Sequence, residues 1–121
     1  MYELKIKKSF EAAHFLRNYQ GRCENMHGHG YVVEVYIRSQ KLNEIGYVMD
    51  FTKIKMHLDK VLSSLDHHCL NELDFFSTVN PTAENIACYI FEKLNDHIEE
   101  NSSLYAVEVW ETGQQSAKYM P

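Results

Sequence analysis

The chain has 121 residues, 45% of them hydrophobic and 24% charged, with five glycines and two prolines, which favours one globular domain over residues 1–121 and disfavours disorder, collagen and solenoid arrays. The formal net charge is −5, and the basic residues form no stripe, so we expect no nucleic-acid binding. No apolar run approaches the roughly 20 residues that span a bilayer, so we expect no membrane partner. No signal-peptide pattern opens the chain, and three cysteines are too few for a disulfide framework. We therefore expect a cytoplasmic protein.

Alternating residues predict two strands at the start of the chain. Hydrophobic residues of one parity mark a half-buried strand over residues 2–14: Tyr2, Leu4, Ile6, Phe10 and Ala12. Residues 15–26 show no period and predict a loop. The run 31–38 is rich in β-branched and aromatic residues and predicts a second strand.

Two amphipathic helices follow. Apolar residues recur at spacings of three and four after Asp50, a predicted N-cap, and this pattern ends near Ser64. Residues 66–80 are polar and irregular. Thr82 is the predicted N-cap of the second helix, whose apolar side continues to Ile98.

The chain ends in two predicted strands. Residues 104–111 alternate, and a turn at 112–114 leads into a short strand ending at Tyr119. The order β-β-α-α-β-β predicts an α+β fold, a four-stranded antiparallel sheet with two helices on one face. Such a sheet has open edges, which pairing between subunits would cover.

The clearest chemical signal is the sequence His27-Gly28-His29. Two histidines at i and i+2 in a strand project from the same face, and the glycine between them removes bulk near a ligand. Pairing of the first two strands would bring His14 near them, and three imidazoles suit a catalytic zinc ion with an open fourth position. Two alternatives remain: a chance pair of surface histidines, or closure of the site by Cys23 as a fourth, structural ligand. Beside a metal, Cys23 could instead act as a nucleophile or base.

Two acidic residues complete the candidate set. Asp66 precedes His67 and could orient its imidazole as a proton shuttle, although polar residues after a helix often simply face water. Glu111 shares the parity of apolar residues in its strand, where a carboxylate needs a partner. It could accept paired N–H groups from a guanine-like heterocycle, or it could be solvated at the strand end. His68 and Cys69 receive no role.

Six ordered blocks of sequence resemble one family, the 6-pyruvoyltetrahydropterin and 6-carboxytetrahydropterin synthases of the tunnelling fold. The blocks are FEAAH (10–14), CxxxHGH (23–29), DF (50–51), LDHHCLN (65–71), NPTAEN (80–85) and VWET (109–112). They are distributed along nearly the whole chain, from residue 10 to residue 112. The resemblance implies a homohexamer of two stacked trimers with active sites between subunits.

The resemblance also implies a role for each candidate residue. It makes His14, His27 and His29 the zinc ligands, Cys23 the proton-abstracting base, Asp66 and His67 a second acid-base pair, Glu111 the pterin anchor, and Thr82 a neighbour of the pterin ring. The implied reaction converts 7,8-dihydroneopterin triphosphate to 6-carboxy-5,6,7,8-tetrahydropterin, acetaldehyde and triphosphate, on the route to queuosine and other 7-deazapurines. Zinc would act in it as a Lewis acid.

The spacing between Cys23 and His27 favours one branch of this family. Three intervening residues resemble the carboxy type, whereas the 6-pyruvoyl type tends to have a longer gap. Glu24 follows Cys23, a pattern similar to dual-function members that also release 6-hydroxymethyl-7,8-dihydropterin, although Glu24 could be an ordinary solvated carboxylate. A non-catalytic zinc or purine-binding protein of the same fold is the remaining alternative.

Overall fold

The computed structural model describes residues 1–121 and contains one sheet and two α-helices. The elements are β1 (Tyr2–His14), β2 (His27–Ser39), α1 (Phe51–Ser63), β3 (His68–Cys69), α2 (Ala83–Asn95), β4 (Ser103–Thr112) and β5 (Gln115–Tyr119). The strand order in the sheet is β3-β1-β2-β4-β5. The α+β class is confirmed. Neither helix is long and apolar enough to cross a bilayer.

The predicted strand count of four is wrong by one short strand. His68 and Cys69 pair in parallel with Ala12 and Ala13 at the edge of β1, so the sheet has five strands and is not wholly antiparallel. A two-residue strand contains no alternation for a sequence pattern to reveal. The short strand β3 matters for the site because it fixes the segment after α1 against the end of β1.

The first two strands form a long antiparallel ladder from Tyr2 opposite Ser39 to His14 opposite His27. β2 therefore begins four residues earlier than the hydrophobic run starting at Tyr31 predicts. Glycine and histidine carry no β-strand signal, so the hydrophobic run alone does not extend to His27. The predicted placement of His27 and His29 at the start of this strand is confirmed.

Both helix starts are confirmed by their caps. A side-chain oxygen of Asp50 accepts the N–H of Thr52 at 2.8 Å, and Thr82 Oγ1 accepts the N–H of Asn85 at 3.2 Å. These bonds satisfy amides that lack an intrahelical partner at the helix start. α2 ends at Asn95, so the predicted helical face reaches Ile98 only through the turn that follows.

Both helices pack on one face of the sheet and form a single core with it. The core includes Phe10 from β1, Val33 and Val35 from β2, and apolar residues such as Ile54 and Ile90 from the helices. Burying each such side chain contributes about 1.5–3 kcal/mol.

The alternation of residues 104–111 predicts that Tyr105 shares the apolar side of β4 with Val107 and Val109, and Tyr105 departs from this pattern. A register shift between Tyr36 and Ile37 leaves Tyr105 without a partner on β2. The residue is 37% exposed, and the Arg38 guanidinium carbon lies over its ring, 3.3 Å from the ring centroid. The predicted apolar side of β4 is correct at Val107 and Val109, where the ladder between β4 and β2 is regular.

Candidate active site

Three histidines continue the core face of β1 and β2 beyond the apolar side chains. His14 has the parity of Phe10, and His27 and His29 have the parity of Tyr31 and the buried valines. The register places His14 opposite His27 and Ala12 opposite His29. One potential ligand atom from each ring lies within 4.8 Å of the others. The predicted convergence of the three imidazoles is therefore present in the structure.

Backbone carbonyls fix which nitrogen of two of these rings faces the cluster. His14 Nδ1 lies 2.7 Å from the Pro81 carbonyl, and His27 Nδ1 lies 2.7 Å from the Asn25 carbonyl. A carbonyl only accepts hydrogen bonds, so each Nδ1 carries the proton and each Nε2 keeps its lone pair. Nε2 of His14 and Nε2 of His29 are buried and have no hydrogen-bond partner. Unpaired lone pairs on converging imidazoles fit a zinc ion.

The environment of His14 favours the neutral, ligating ring. Its side chain is 2% exposed, and burial lowers the pKa of His14. The Pro81 carbonyl opposes this shift, while His27 and His29 add to it. Glu111 supplies the nearest negative charge, with its carboxylate oxygens 3.9 Å from His14 Nε2 and 3.7 Å from His29 Nε2.

A cavity of about 330 Å³ opens beside His14 and gathers three further candidates, Cys23, Thr82 and Glu111. Cys23 lies in a short 3-10 turn over Arg22–Glu24. Thr82 is held at the start of α2 by its capping bond, and Glu111 accepts a hydrogen bond from Gln115 Nε2 at 3.1 Å. The Glu111 side chain is 20% exposed, so it is not a frayed, fully solvated end of the strand.

Asp66 and His67 line up at the edge of β1. One Asp66 oxygen accepts the N–H of Glu11 at 2.8 Å, and the other lies 3.0 Å from His67 Nδ1. The Glu11 N–H, followed by His67, lowers the pKa of Asp66. His67 has a left-handed backbone with φ 58°, which a non-glycine residue adopts at an energetic cost, and its own N–H donates to the Glu11 carbonyl.

The structure does not bring this pair into the first cavity. His67 lines a second cavity of about 430 Å³, which touches the cluster at His29. Gly28 lines this second cavity too. Its missing side chain therefore leaves room on the His67 side of the strand, on the opposite face from the imidazoles. In the isolated chain the His67 side chain is 78% exposed, so the second cavity is open to solvent.

Glu24 is exposed and lines neither cavity. His68 and Cys69, which have no role assigned from the sequence, both line the second cavity beside His67. The His68 side chain is tied back to the chain, with Nδ1 2.8 Å from the Asp66 carbonyl.

Two asparagines position the loop that follows His14. Asn71 bonds both the N–H and the carbonyl of Phe15, each at 3.0 Å, and Asn80 bonds the N–H and the carbonyl of Arg17 at 2.9 and 3.0 Å. A side-chain amide can mimic a paired strand in this way because it carries one acceptor and two donors. Both residues stand in the motif blocks, but no property of the sequence alone assigns them this contact.

The comparisons with known proteins agree with this geometry. The family model described as 6-pyruvoyl tetrahydropterin synthase matches residues 3–121. A 6-carboxy-5,6,7,8-tetrahydropterin synthase from Synechocystis is 42% identical over 116 residues, which cover 92% of this chain and 87% of the relative. A dihydroneopterin monophosphate aldolase from Pyrococcus furiosus is 36% identical over 105 residues, covering 87% and 85%.

A solved structure supports the same assignment. The 6-pyruvoyl tetrahydropterin synthase of Caenorhabditis elegans superposes with a TM-score of 0.91 at 34% identity, covering 99% of this chain and 95% of that one. Sequence, fold and the matched family model all agree over nearly the whole chain, and the chain therefore belongs to the 6-pyruvoyl tetrahydropterin synthase family.

Proposed function

We propose that this protein is a zinc-dependent lyase that converts 7,8-dihydroneopterin triphosphate and water to 6-carboxy-5,6,7,8-tetrahydropterin, acetaldehyde and triphosphate. The observation that carries the proposal is the convergence of three imidazoles beside a cavity that also contains a thiol and a carboxylate. The name of the Synechocystis relative supports the choice of product. The same reaction would place the protein in the supply of 7-deazapurine precursors.

The metal would be held by Nε2 of His14, His27 and His29. When bound, zinc supplies a Lewis acid that makes protons beside a coordinated oxygen more acidic. Glu111 would hold the pterin, because a carboxylate can accept two N–H bonds side by side from the heterocycle. Thr82 lines the same cavity and would contact the ring.

Two groups would move protons. Cys23 lines the first cavity with His14, where its thiolate would take a proton from the substrate side chain. His67 lines the second cavity with His29, and its Nδ1 is held by Asp66, which leaves Nε2 to exchange a proton. The two groups would thus act from different cavities, one lined by His14 and the other by His29.

The exposure of His67 supports an assembly in which a neighbouring subunit covers the second cavity. We propose a homohexamer, a dimer of trimers, with active sites between subunits. The three cysteines are free thiols, which suits the reducing cytoplasm we propose as its location.

Replacing Cys23 tests the proposal against a closed structural metal site. Cys23→Ala should keep one zinc per chain and lose turnover, because the thiol transfers a proton and is not a ligand. Cys88→Ala is the matched control, since Cys88 lies on α2 near Glu92 and outside the cavity. The zinc content of each variant, measured by mass spectrometry of the metal, distinguishes a catalytic Cys23 from a structural one. Loss of zinc and of the fold in Cys23→Ala would establish a structural tetrahedron instead.

A second candidate function is aldolase cleavage that releases 6-hydroxymethyl-7,8-dihydropterin. The Pyrococcus relative, whose name is that of an aldolase, favours it. Glu24 would be the base for this branch, although in one chain it lies outside both cavities. Glu24→Ala, with both products quantified, separates the branches. Unchanged hydroxymethylpterin release would eliminate Glu24 as a base.

A further inference from the structure

A second cluster of titratable side chains lies far from β1 and β2, in the groove between the two helices. His57 in α1 stacks on His97 just after α2, with ring centroids 4.4 Å apart and planes at 13°. At the other end of the groove, Ser64 Oγ lies 2.9 Å from Tyr89 Oη. These two contacts show that the helices run antiparallel, with a shared groove between them.

Two lysines line the same groove. A cavity of about 270 Å³ is bounded by His57, Lys60, Val61, Ser64, Tyr89, Lys93 and His97. The spacing explains the grouping, since residues 57, 60, 61 and 64 form one face of α1 and residues 89, 93 and 97 one face of α2. No carboxylate lines this cavity.

The lysines of this groove have no carboxylate partner, although the protein carries more acidic than basic residues. Elsewhere, Lys8 pairs with Asp59 at 3.3 Å and Lys53 pairs with Glu99 at 3.3 Å. Lys60 and Lys93 form no ion pair. Two uncompensated ammonium groups facing one cavity create a local positive potential in a chain of net charge −5.

The histidine pair adds a ring nitrogen that lacks a hydrogen-bond partner. His57 Nδ1 is buried and has no hydrogen-bond partner in the protein. Burial, followed by His97, Lys60 and Lys53, lowers the pKa of His57, so these neighbours oppose a positive charge on its ring. A neutral imidazole still offers one N–H, and a bound anion would reverse this repulsion.

The hydroxyl groups form the wall of the groove. Ser64 Oγ donates to the Val61 carbonyl at 2.6 Å, so it accepts from Tyr89 Oη. Both hydroxyl protons are therefore used within the protein. The donors left for a ligand are the two ammonium groups and the two imidazoles.

This donor set selects an anion over a metal ion. A metal needs imidazole lone pairs that converge at about 2.0–2.1 Å, whereas rings stacked face to face at 4.4 Å direct their lone pairs side by side. Lys60 and Lys93 would also repel a cation. Phosphate groups, in contrast, accept several charge-assisted hydrogen bonds at once.

We propose that the groove between α1 and α2 binds a phosphate-class anion, held by Lys60 and Lys93 with N–H groups from His57 and His97. This site does not depend on the proposed reaction. It is distinct from the histidine cluster, because none of its residues lines either cavity of that cluster.

Calorimetric titration of the zinc-loaded full-length protein with inorganic pyrophosphate tests the proposal. The test variant is Lys60→Gln/Lys93→Gln. The matched control is Lys41→Gln/Lys55→Gln, which removes the same charge from two other unpaired lysines. We expect the test variant to lose about tenfold or more in pyrophosphate affinity, as the loss of a charge-assisted contact implies. The control should stay within about twofold of wild type.

Three results would overturn the proposal. The first is unchanged pyrophosphate affinity in the test variant. The second is an equal loss of pyrophosphate affinity in the control variant, which would indicate a general effect of net charge. The third is binding of Ni²⁺ that His57→Gln/His97→Gln abolishes while pyrophosphate binding persists. Thermal unfolding without anion checks that each variant is folded. With pyrophosphate, the midpoint should rise more in wild type and control than in the test variant.

Discussion

The hydroxyl of Tyr31 allows a quantitative test of the environment around the histidine cluster. Tyr31 is fully buried, its ring stacks on Phe10 at 4.9 Å, and its Oη has no hydrogen-bond partner in the protein. Burial, followed by Glu111, raises the pKa of Tyr31, so the phenol stays neutral. A buried polar group without a partner costs about 1–3 kcal/mol. Tyr31→Phe keeps the ring contacts and should raise the free energy of unfolding of the metal-free protein by about 1 kcal/mol.

Tyr36 provides the matched control. It is 8% exposed, and its Oη donates to a Glu108 carboxylate oxygen at 2.8 Å. Burial, followed by Glu108, raises the pKa of Tyr36 to about 12. A hydrogen bond to a charged group contributes about 1.5–3 kcal/mol, so Tyr36→Phe should lower the free energy of unfolding by at least about 1.5 kcal/mol. The two identical chemical changes are thus expected to have opposite signs.

Urea unfolding followed by circular dichroism measures both effects. All variants need the same protein concentration, because subunit association contributes to apparent stability. The urea dependence of the unfolding free energy should not change between variants. If Tyr31→Phe destabilises the metal-free protein as much as Tyr36→Phe does, the hydroxyl has a partner and the reasoning about the site is wrong.

Three further changes test the supports of the site. Thr82→Ala should lower the free energy of unfolding by about 1 kcal/mol, and Thr82→Ser should keep the wild-type value. If urea titrations show that both variants lose the same free energy of unfolding, the capping bond does not stabilise the helix. Because the Glu11 N–H lowers the pKa of Asp66, this carboxylate stabilises the fold above its unfolded pKa, and the contribution disappears as the pH falls through the folded pKa. Asp66→Asn should therefore flatten the loss of thermal stability in acid, and an unchanged pH profile would refute the link. Asn71→Ala leaves both backbone groups of Phe15 unpaired and should lower the free energy of unfolding by about 2 kcal/mol. The same variant should lose zinc to a chelator more readily than wild type. Full retention of zinc would show that the loop does not support the histidine cluster.

The sequence alone predicts the parts of the fold that depend on local periodicity. The two caps, Asp50 and Thr82, and a pairing of the first two strands that brings His14 near His29 all follow from residue type and spacing. These features need no distant contact for their recognition. The same holds for the face shared by the three histidines, since strand parity fixes it.

Features that depend on tertiary contacts could not be predicted. The short strand β3 exists only because the end of β1 offers it backbone partners, and the bulge at Tyr105 arises from a mismatch between two strands. The carbonyls that orient His14 and His27 belong to Pro81 and Asn25, and main-chain acceptors leave no mark in a residue pattern. The groove between the helices likewise becomes visible only when both helices are in place.

The most direct measurement is the mass of the products formed when the zinc-loaded protein is incubated with 7,8-dihydroneopterin triphosphate. The proposed function predicts 6-carboxy-5,6,7,8-tetrahydropterin with acetaldehyde and triphosphate, and no product after substitution of Cys23. Recovery of intact substrate from a protein that retains one zinc per chain would contradict it, as would a 6-pyruvoyl or 6-hydroxymethyl pterin as the sole product.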